Sequence, residues 1–196
     1  MKIGIIGPPQ VGKTQFAEEL ANEFDLSVVD DYISTDLALG MWASYSENLM
    51  VAGLRLAAEE RHKDDRITVG TLVDTICYAA VKTDVITHNS LTHRDAAYKA
   101  AQGAMSGLGV MLAETWDYDI SFYLPYSDVE KEKAERWAAV LDTGYVSVIE
   151  SFGINWVYTL QGTHQERVDI AKDVIKVAQK SDTSETTEVP ETPATK

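Results

Sequence analysis

The 196-residue chain has little cysteine and no long apolar run. Its single cysteine, Cys77, excludes an internal disulfide and a cysteine cluster for zinc, which fits a reducing compartment. We expect this thiol to pack in the core. No stretch of about 18 apolar residues occurs, and the N-terminal apolar stretch is too short for the core of a signal peptide. The sequence therefore predicts a cytoplasmic protein that does not enter a membrane.

Basic side chains are also scarce. The sequence has 17 Lys and Arg against 31 Asp and Glu, which gives a formal net charge of −14. Proteins that bind a phosphate backbone usually concentrate Lys and Arg on one face. The acidic balance disfavours a nucleic-acid partner without excluding it, since a local basic groove can exist in an acidic protein. A small-molecule substrate fits this composition better.

The proportions of hydrophobic residues, 45%, and charged residues, 24%, are those of an ordinary globular protein of one domain. We place that domain at residues 1–180. Residues 181–196 are Thr, Ser, Pro and acidic side chains with almost nothing to bury, and they predict a disordered tail.

Apolar periodicity predicts strands and helices in alternation. Strands are expected at residues 2–6, 26–29, 66–69, 119–124 and 155–160, and helices at 13–24, 46–62, 72–80, 95–114, 131–149 and 166–180. This order predicts a three-layer α/β fold whose mostly parallel sheet is covered on both faces. Ligands of such sheets bind at the carboxyl ends of the strands.

One motif carries specific chemistry, because the segment after the first strand matches G-x-x-x-x-G-K-[ST] completely. Its residues are Gly7, Pro8, Pro9, Gln10, Val11, Gly12, Lys13 and Thr14. Backbone N–H groups of such a loop surround phosphates at a helix N-terminus. Lys13 is expected to reach the β- and γ-phosphates of ATP or GTP, and the Thr14 hydroxyl to bind Mg²⁺.

A carboxylate pair, Asp30 and Asp31, ends the second predicted strand. No asparagine is followed by lysine, so the guanine motif N-K-x-D of a GTPase is missing, and the pair lies too early for a motor or AAA-type ATPase. Its position suits the acceptor site of a kinase, where a carboxylate orients a hydroxyl and takes its proton. Asp31 is our first choice and Asp30 our second, and capping of the next segment remains the alternative.

At this point the chain resembles the P-loop kinases of nucleosides and nucleotides, in particular the AAA_28 or NadR-type (ribosylnicotinamide kinase-like) group and its phage relatives. The resemblance covers the loop, residues 28–32, and residues 157–162 followed by Glu166 and Arg167. It implies transfer of the γ-phosphate of ATP, with Mg²⁺, to a nucleoside or nucleotide. Where this family often has Asp-Arg after the third strand, this chain has Gly70-Thr71, and its nearest carboxylate is Asp74.

Three further side chains are candidates for the site, each with an ordinary alternative. Asp74 could contact substrate or a magnesium-bound water, or be a common carboxylate of a helix N-terminus. Arg136, in a lid that the resemblance implies at about residues 126–140, could stabilise the transferred phosphoryl group or lie on a solvated helix face. Arg167 could close over the adenine or its phosphates, or form a surface ion pair. The four histidines lack metal-ligand spacing, so Mg²⁺ is the only metal expected.

Two other functions stay open on the sequence alone. One is a kinase of a modified base in DNA, which a basic groove would favour. The other is a nucleotide-binding regulatory ATPase without a small-molecule acceptor. The identity of the acceptor, the choice between ATP and GTP, and the oligomeric state, a homodimer included, are not determined by the sequence.

Overall fold

The computed structural model describes residues 1–29, 45–62, 65–79, 94–127, 136–154 and 157–184. Within them, parallel strands form one sheet in the order β2-β3-β1-β4-β5. The strand bounds are Lys2–Ile6 for β1, Ser27–Val29 for β2, Arg66–Val69 for β3, Ile120–Tyr123 for β4 and Val157–Thr159 for β5. The parallel sheet predicted from the alternation of elements is confirmed.

Helices connect these strands at the predicted places. They are α1 Lys13–Phe24, α2 Tyr45–Arg61, α3 at residues 72–79, α4 Arg94–Thr115, α5 Arg136–Ser151 and α6 His164–Ser184. The last helix continues four residues into the predicted tail, because adding a residue to an existing helix gains a hydrogen bond without a new nucleation cost. Residues 185–196 lie outside the described part of the chain.

Strand β1 is the centre of the sheet. It pairs with β3 from Lys2 opposite Arg66 to Ile5 opposite Val69, and with β4 from Ile3 opposite Ile120 to Ile6 opposite Tyr123. Strands β3 and β4 are buried throughout, and β1 is buried after its first residue. This double-sided burial explains why β1 reads as a nearly continuous apolar run after Lys2.

Two apolar clusters cover the two faces of the sheet. On one face, α1 and α6 pack against the strands through Phe16, Leu20, Phe122, Val168 and Ile175, among others. On the other face, α2 to α5 contribute Ala52, Val73, Ile76, Cys77, Leu108, Leu112, Leu141, Tyr145 and Val148. The three-layer architecture is confirmed, and Cys77 is buried as expected. Among the helices that the structure describes, none is both long and apolar enough to cross a bilayer.

Because all strands run in the same direction, their carboxyl ends meet at one edge of the sheet. The residues that follow them there are Gly7 after β1, Gly70 after β3, Leu124 after β4 and Leu160 after β5. Backbone hydrogen bonds continue the pairing past the strand ends, from Gly70 to Ile5 at 3.2 Å and from Leu124 to Ile6 at 2.9 Å. The loop between β1 and α1 therefore lies on a rigid frame.

Candidate functional site at the carboxyl edge

The loop from Gly7 to Gly12 turns β1 into α1. Gln10 and Gly12 have positive φ angles of 67° and 83°, and Gly12 is the N-cap residue of α1. No side chain caps this helix, and its first turn carries no acidic residue. Since the first N–H groups of a helix have no partners within it, the start of α1 presents donors and a positive dipole end to an anion.

Gly7 is the tightest position of the loop. A Cβ atom built at this residue would lie 2.5 Å from the carbonyl oxygen of Leu124. Because this oxygen belongs to the backbone, it could move away only at a substantial cost in free energy. Its N–H donates a hydrogen bond of 3.3 Å to Oδ1 of Asp74. The loop thus approaches the end of β4 so closely that only glycine fits.

Lys13 turns its ammonium group into the loop. Nζ donates hydrogen bonds to the carbonyl oxygens of Gly7 and of Pro8, the latter at 2.9 Å, and lies 3.8 Å from Oδ1 of Asp74. The next residue, Thr14, is exposed in the first turn of α1. The cation and the hydroxyl that the motif predicts are therefore side by side at the entrance to the helix.

Asp74 lies beneath the loop and is 1% exposed. Its Oδ2 accepts hydrogen bonds from the backbone N–H of Thr71 at 2.7 Å and from the Thr71 hydroxyl at 3.3 Å, and that hydroxyl accepts one from the N–H of Val73 at 3.2 Å. This is the reciprocal pattern of a capping box at the start of α3. While Oδ2 caps the helix, Oδ1 faces Gly7 and Lys13. Asp74 is therefore both an ordinary helix-capping residue and a residue of the site.

Helix α5 reaches the same edge with Tyr145 and Asp142. The hydroxyl of Tyr145, which is fully buried, donates a hydrogen bond of 2.8 Å to Oδ1 of Asp74. Asp142 accepts hydrogen bonds from the Tyr123 hydroxyl and, at 3.4 Å, from the N–H of Tyr126. Tyr126 in turn donates from its hydroxyl to the carbonyl oxygen of Pro9 at 3.0 Å. Asp74 and Tyr126 thus contact the loop, and α5 supports both of them through Tyr145 and Asp142.

Burial decides the protonation of the groups around Asp74. It raises the pKa of the Tyr145 phenol, and the negative charge of Asp74 raises it further. It likewise raises the pKa of the Cys77 thiol, with a smaller effect from Asp74. At neutral pH the phenol is therefore a hydrogen-bond donor, and the thiol is an unreactive packing group.

Two arginines are buried at this edge. Arg167, in the first turn of α6, is 5% exposed and donates to the carbonyl oxygen of Pro125 at 3.2 Å, while its Nε has no partner. Within the part of the chain that the structure describes, no carboxylate lies within ion-pair distance of it. A surface ion pair is therefore not its role. Arg55 of α2 donates to the carbonyl oxygen of Thr71 at 2.8 Å and to the hydroxyl of Thr75 at 2.5 Å.

The structure brings Lys13 and Asp74 together at the loop, with Thr14 in the first turn of α1, and it places Arg167 at the same edge against Pro125. Asp30 and Asp31 lie outside the described residues, although β2 ends at Val29 on the same edge. Arg136 is the first residue of α5, but its side chain is outside the description, as are residues 128–135 of the predicted lid.

Sequence reasoning missed Arg55, Tyr126, Asp142 and Tyr145. A local signal existed for the placement of Asp74, since Thr71-Leu72-Val73-Asp74 is a T-x-x-D capping pattern. No such signal existed for Tyr145, whose periodicity indicates only a buried helix face.

The residues present fit a magnesium ion that arrives with a nucleotide. Mg²⁺ takes oxygen ligands, keeps several waters and is usually bound through few protein groups together with phosphates. The exposed Thr14 hydroxyl suits a direct ligand, while the enclosed Asp74 suits contact through water. Among the described residues, no group of three or more His, Cys, Asp or Glu side chains could bind a metal without a nucleotide.

A parallel sheet in the order 2-3-1-4-5, with the phosphate loop after its central strand, defines the P-loop kinase fold of nucleoside and nucleotide kinases. Similar solved structures support this class. Deoxyadenosine kinase from M. mycoides, solved with the products dCMP and dCDP, has a TM-score of 0.62 at 12% identity, over 90% of this chain and 100% of that one. Thymidylate kinase from Candida albicans has a TM-score of 0.65 at 12% identity, over 91% and 92%.

A NadR protein in complex with NR has a TM-score of 0.68 at 12% identity. The match covers 98% of this chain but 52% of the NadR chain, so our chain spans about half the length of that relative. The sequence matches no protein-family model and none of the curated proteins. At such identities the likeness establishes the fold.

Proposed function

We propose that this protein is a kinase that transfers the γ-phosphate of ATP to a hydroxyl or phosphate group of a nucleoside or nucleotide. The observation that carries the proposal is the loop itself. Lys13 lies inside it, and an uncapped helix N-terminus follows it. The likeness of the fold to deoxyadenosine and thymidylate kinases supports the choice of acceptor class.

In this proposal each residue of the edge has one task. The loop N–H groups and Lys13 bind the β- and γ-phosphates. The Thr14 hydroxyl, and Asp74 through water, would hold a magnesium ion that arrives with the nucleotide, and such an ion would neutralise phosphate charge. The acceptor oxygen attacks the γ-phosphorus, the bond to the β-phosphate oxygen breaks, and ADP leaves.

Asp31, with Asp30 as second choice, orients the acceptor hydroxyl and takes its proton. The supporting observation is that β2 ends at Val29, on the same edge of the sheet as the loop. Arg136 would stabilise the transferred group from a lid at about residues 126–140. Tail residues 185–196 stay outside the catalytic unit.

Arg167 is proposed to serve the nucleotide as well. A buried guanidinium group is costly without a negative partner, and the described residues provide it only with the Pro125 carbonyl. An adenine ring or a phosphate bound between the loop and α6 would supply acceptors. We further propose that the chain is a member of the NadR-type or AAA_28 group, phage members included, and that it acts in the cytoplasm. Residues 28–32 and 157–162 support the first proposal, and the single buried thiol supports the second.

The test has a binding arm and a transfer arm. Lys13→Ala should weaken binding of a fluorescent ATP analogue at least about tenfold, because a charged hydrogen-bond donor to the phosphates is lost. Lys172→Ala is the matched control, since this lysine pairs with Glu23 of α1 away from the loop. Equal affinities of the two variants would contradict the assignment of the loop.

For transfer, the wild type is incubated with labelled ATP or GTP and a panel of nucleosides, nucleoside monophosphates and DNA with a modified base. A labelled nucleoside or nucleotide supports the proposal. Label in DNA supports the base kinase, and binding without any transfer supports a regulator. Asp31→Asn should lower the transfer rate about a hundredfold or more at nearly unchanged ATP affinity, whereas a rate close to that of the wild type rejects its role.

A further inference from the structure

Oδ1 of Asp74 is shared by three donors. The Tyr145 hydroxyl lies 2.8 Å away, the Gly7 N–H 3.3 Å away and Nζ of Lys13 3.8 Å away. The other oxygen is occupied by Thr71. The carboxylate can therefore compensate for the loss of one donor on Oδ1 only by attracting the two that remain.

Lys13 is the donor for which this matters. Its ammonium group has to reach the phosphates of a nucleotide, yet it lies close to a buried negative charge, and attraction between charges is stronger away from water. Asp74 and a nucleotide thus compete for one cation. How strongly Asp74 competes depends on how much of its charge the other donors satisfy.

Tyr145 is suited to satisfy that charge. Its ring is fully buried and stacks on Tyr123 with a centroid distance of 5.6 Å and an interplanar angle of 27°, so the hydroxyl has a defined position. Hydrogen bonds to a charged acceptor are shorter and stronger than neutral ones. Because Tyr145 lies on α5, 71 positions along the chain from Asp74, the contact depends on the tertiary fold.

We propose that Tyr145 is a positioning residue for nucleotide binding: its hydroxyl holds Oδ1 of Asp74 and thereby limits the pull of this carboxylate on Lys13. The inference rests on the proposed function in so far as Lys13 binds phosphates. Without the hydroxyl, Lys13 moves closer to Asp74 than the 3.8 Å of their present ion pair and is less available to a nucleotide.

The experiment uses the full chain and measures the Kd of a fluorescent ATP analogue in buffer without Mg²⁺, so that only the protein's own groups act. Tyr145→Phe should raise the Kd about tenfold, as expected for one hydrogen bond to a charged group. Tyr118→Phe is the matched control, because it removes a tyrosine hydroxyl that donates to the Glu59 carboxylate at 2.7 Å near the opposite edge of the sheet. The control should stay within about twofold of the wild type.

A double-mutant cycle then separates positioning from general destabilisation. In an Asp74→Asn background, where the charge of Asp74 no longer competes for Lys13, Tyr145→Phe should change the Kd by less than about twofold. Equal weakening by the two Tyr→Phe variants, or a full effect of Tyr145→Phe in the Asp74→Asn background, would overturn the inference.

If circular dichroism shows that Tyr145→Phe does not fold, Asp74→Asn alone decides. Release of Lys13 should then tighten binding of the analogue without Mg²⁺, and weaker binding contradicts the inference. A wild type that binds no analogue, with or without Mg²⁺, overturns the proposed function itself. A wild type that binds it with the same Kd as Tyr145→Phe overturns only the role of Tyr145.

Discussion

Single atoms decide the geometry of the loop. Because Gly7 has no side chain, its backbone can lie close to the Leu124 carbonyl oxygen. In this position the N–H of Gly7 donates a hydrogen bond to Asp74. At Lys13 the ammonium group satisfies carbonyl oxygens of the same loop. Gly7 is therefore explained by contacts with residues outside the motif, Leu124 after β4 and Asp74 of α3, and Lys13 by contacts within the loop and with Asp74.

Gly7→Ala tests this packing. The added Cβ would lie 2.5 Å from a carbonyl oxygen, so the loop or the end of β4 must move. We expect a loss of roughly 1–3 kcal/mol in unfolding free energy and a clear loss of nucleotide affinity. Gly53→Ala is the control, because its Cβ meets nothing within 4 Å on helix α2, and it should stabilise the protein by roughly 0.5–1 kcal/mol. Denaturant unfolding measures both, and an unchanged Gly7→Ala would contradict the packing argument.

Among the elements, three helices start at the carboxyl edge after residues that the structure describes, and they begin in two ways. Helices α3 and α6 are capped by their own side chains, Asp74 with Thr71 and Glu166 with Thr163. Helix α1 has no side-chain cap and no acidic residue in its first turn. The chain thus satisfies the donors of two helix starts and leaves those of the third to an anion, which is the arrangement that a phosphate site requires.

The cap of α6 predicts a dependence of stability on pH. Hydrogen bonds from the backbone N–H and the hydroxyl of Thr163 lower the pKa of Glu166 below its ordinary value of 4.5. A lowered folded-state pKa means that the charged form stabilises the fold above about pH 4.5 and that this contribution disappears as the pH falls through the folded value.

Glu166→Gln should therefore lower the thermal midpoint at pH 7, and the difference from the wild type should be smaller at about pH 3, where more of Glu166 is protonated in the folded protein. Glu150→Gln, on the exposed surface of α5, is the control and should change the midpoint little at either pH. A difference between Glu166→Gln and the wild type that is the same at both pH values would show that the charge of Glu166 is not responsible.

For the molecule as a whole, one sheet carries two apolar clusters. Alternate side chains of the central strands enter opposite clusters, as Ile5 and Ile6 of β1 do. Neither cluster can therefore lose its packing without disturbing the strands that the other one uses, and we expect the described domain to unfold in a single transition.

A matched pair of leucines tests this expectation. Leu20 of α1 is buried on one face and Leu112 of α4 on the other. Leu20→Ala and Leu112→Ala should each cost roughly 2–5 kcal/mol, and each should shift the whole transition without splitting it. Far-UV circular dichroism and tryptophan fluorescence report it, and curves that separate in either variant would show that the two faces unfold independently.

Predictions from the sequence succeeded where the signal is local. The apolar run of β1, the periodicity of α1 and the loop between them lie within 24 residues and were placed correctly. The end of α6 was placed too early, because the polar residues 181–184 carry no periodic signal although the helix continues through them. The sequence left two roles open for Arg167, a contact with the ligand or a surface ion pair. The burial of its side chain excludes the surface ion pair. This burial could not be predicted locally, because the guanidinium group bonds to Pro125, which is distant in the sequence.

The sequence by itself determined the order of strands and helices, the parallel sheet and the phosphate loop, because these follow from apolar spacing and from a motif whose atoms are neighbours along the chain. Only the tertiary structure decided that Asp74 turns one oxygen to the loop, that Tyr145 donates to it and that Arg55 reaches Thr71. These contacts join residues far apart in sequence. Their geometry depends on how the helices pack on the sheet, and this packing cannot be predicted from the local pattern of apolar residues.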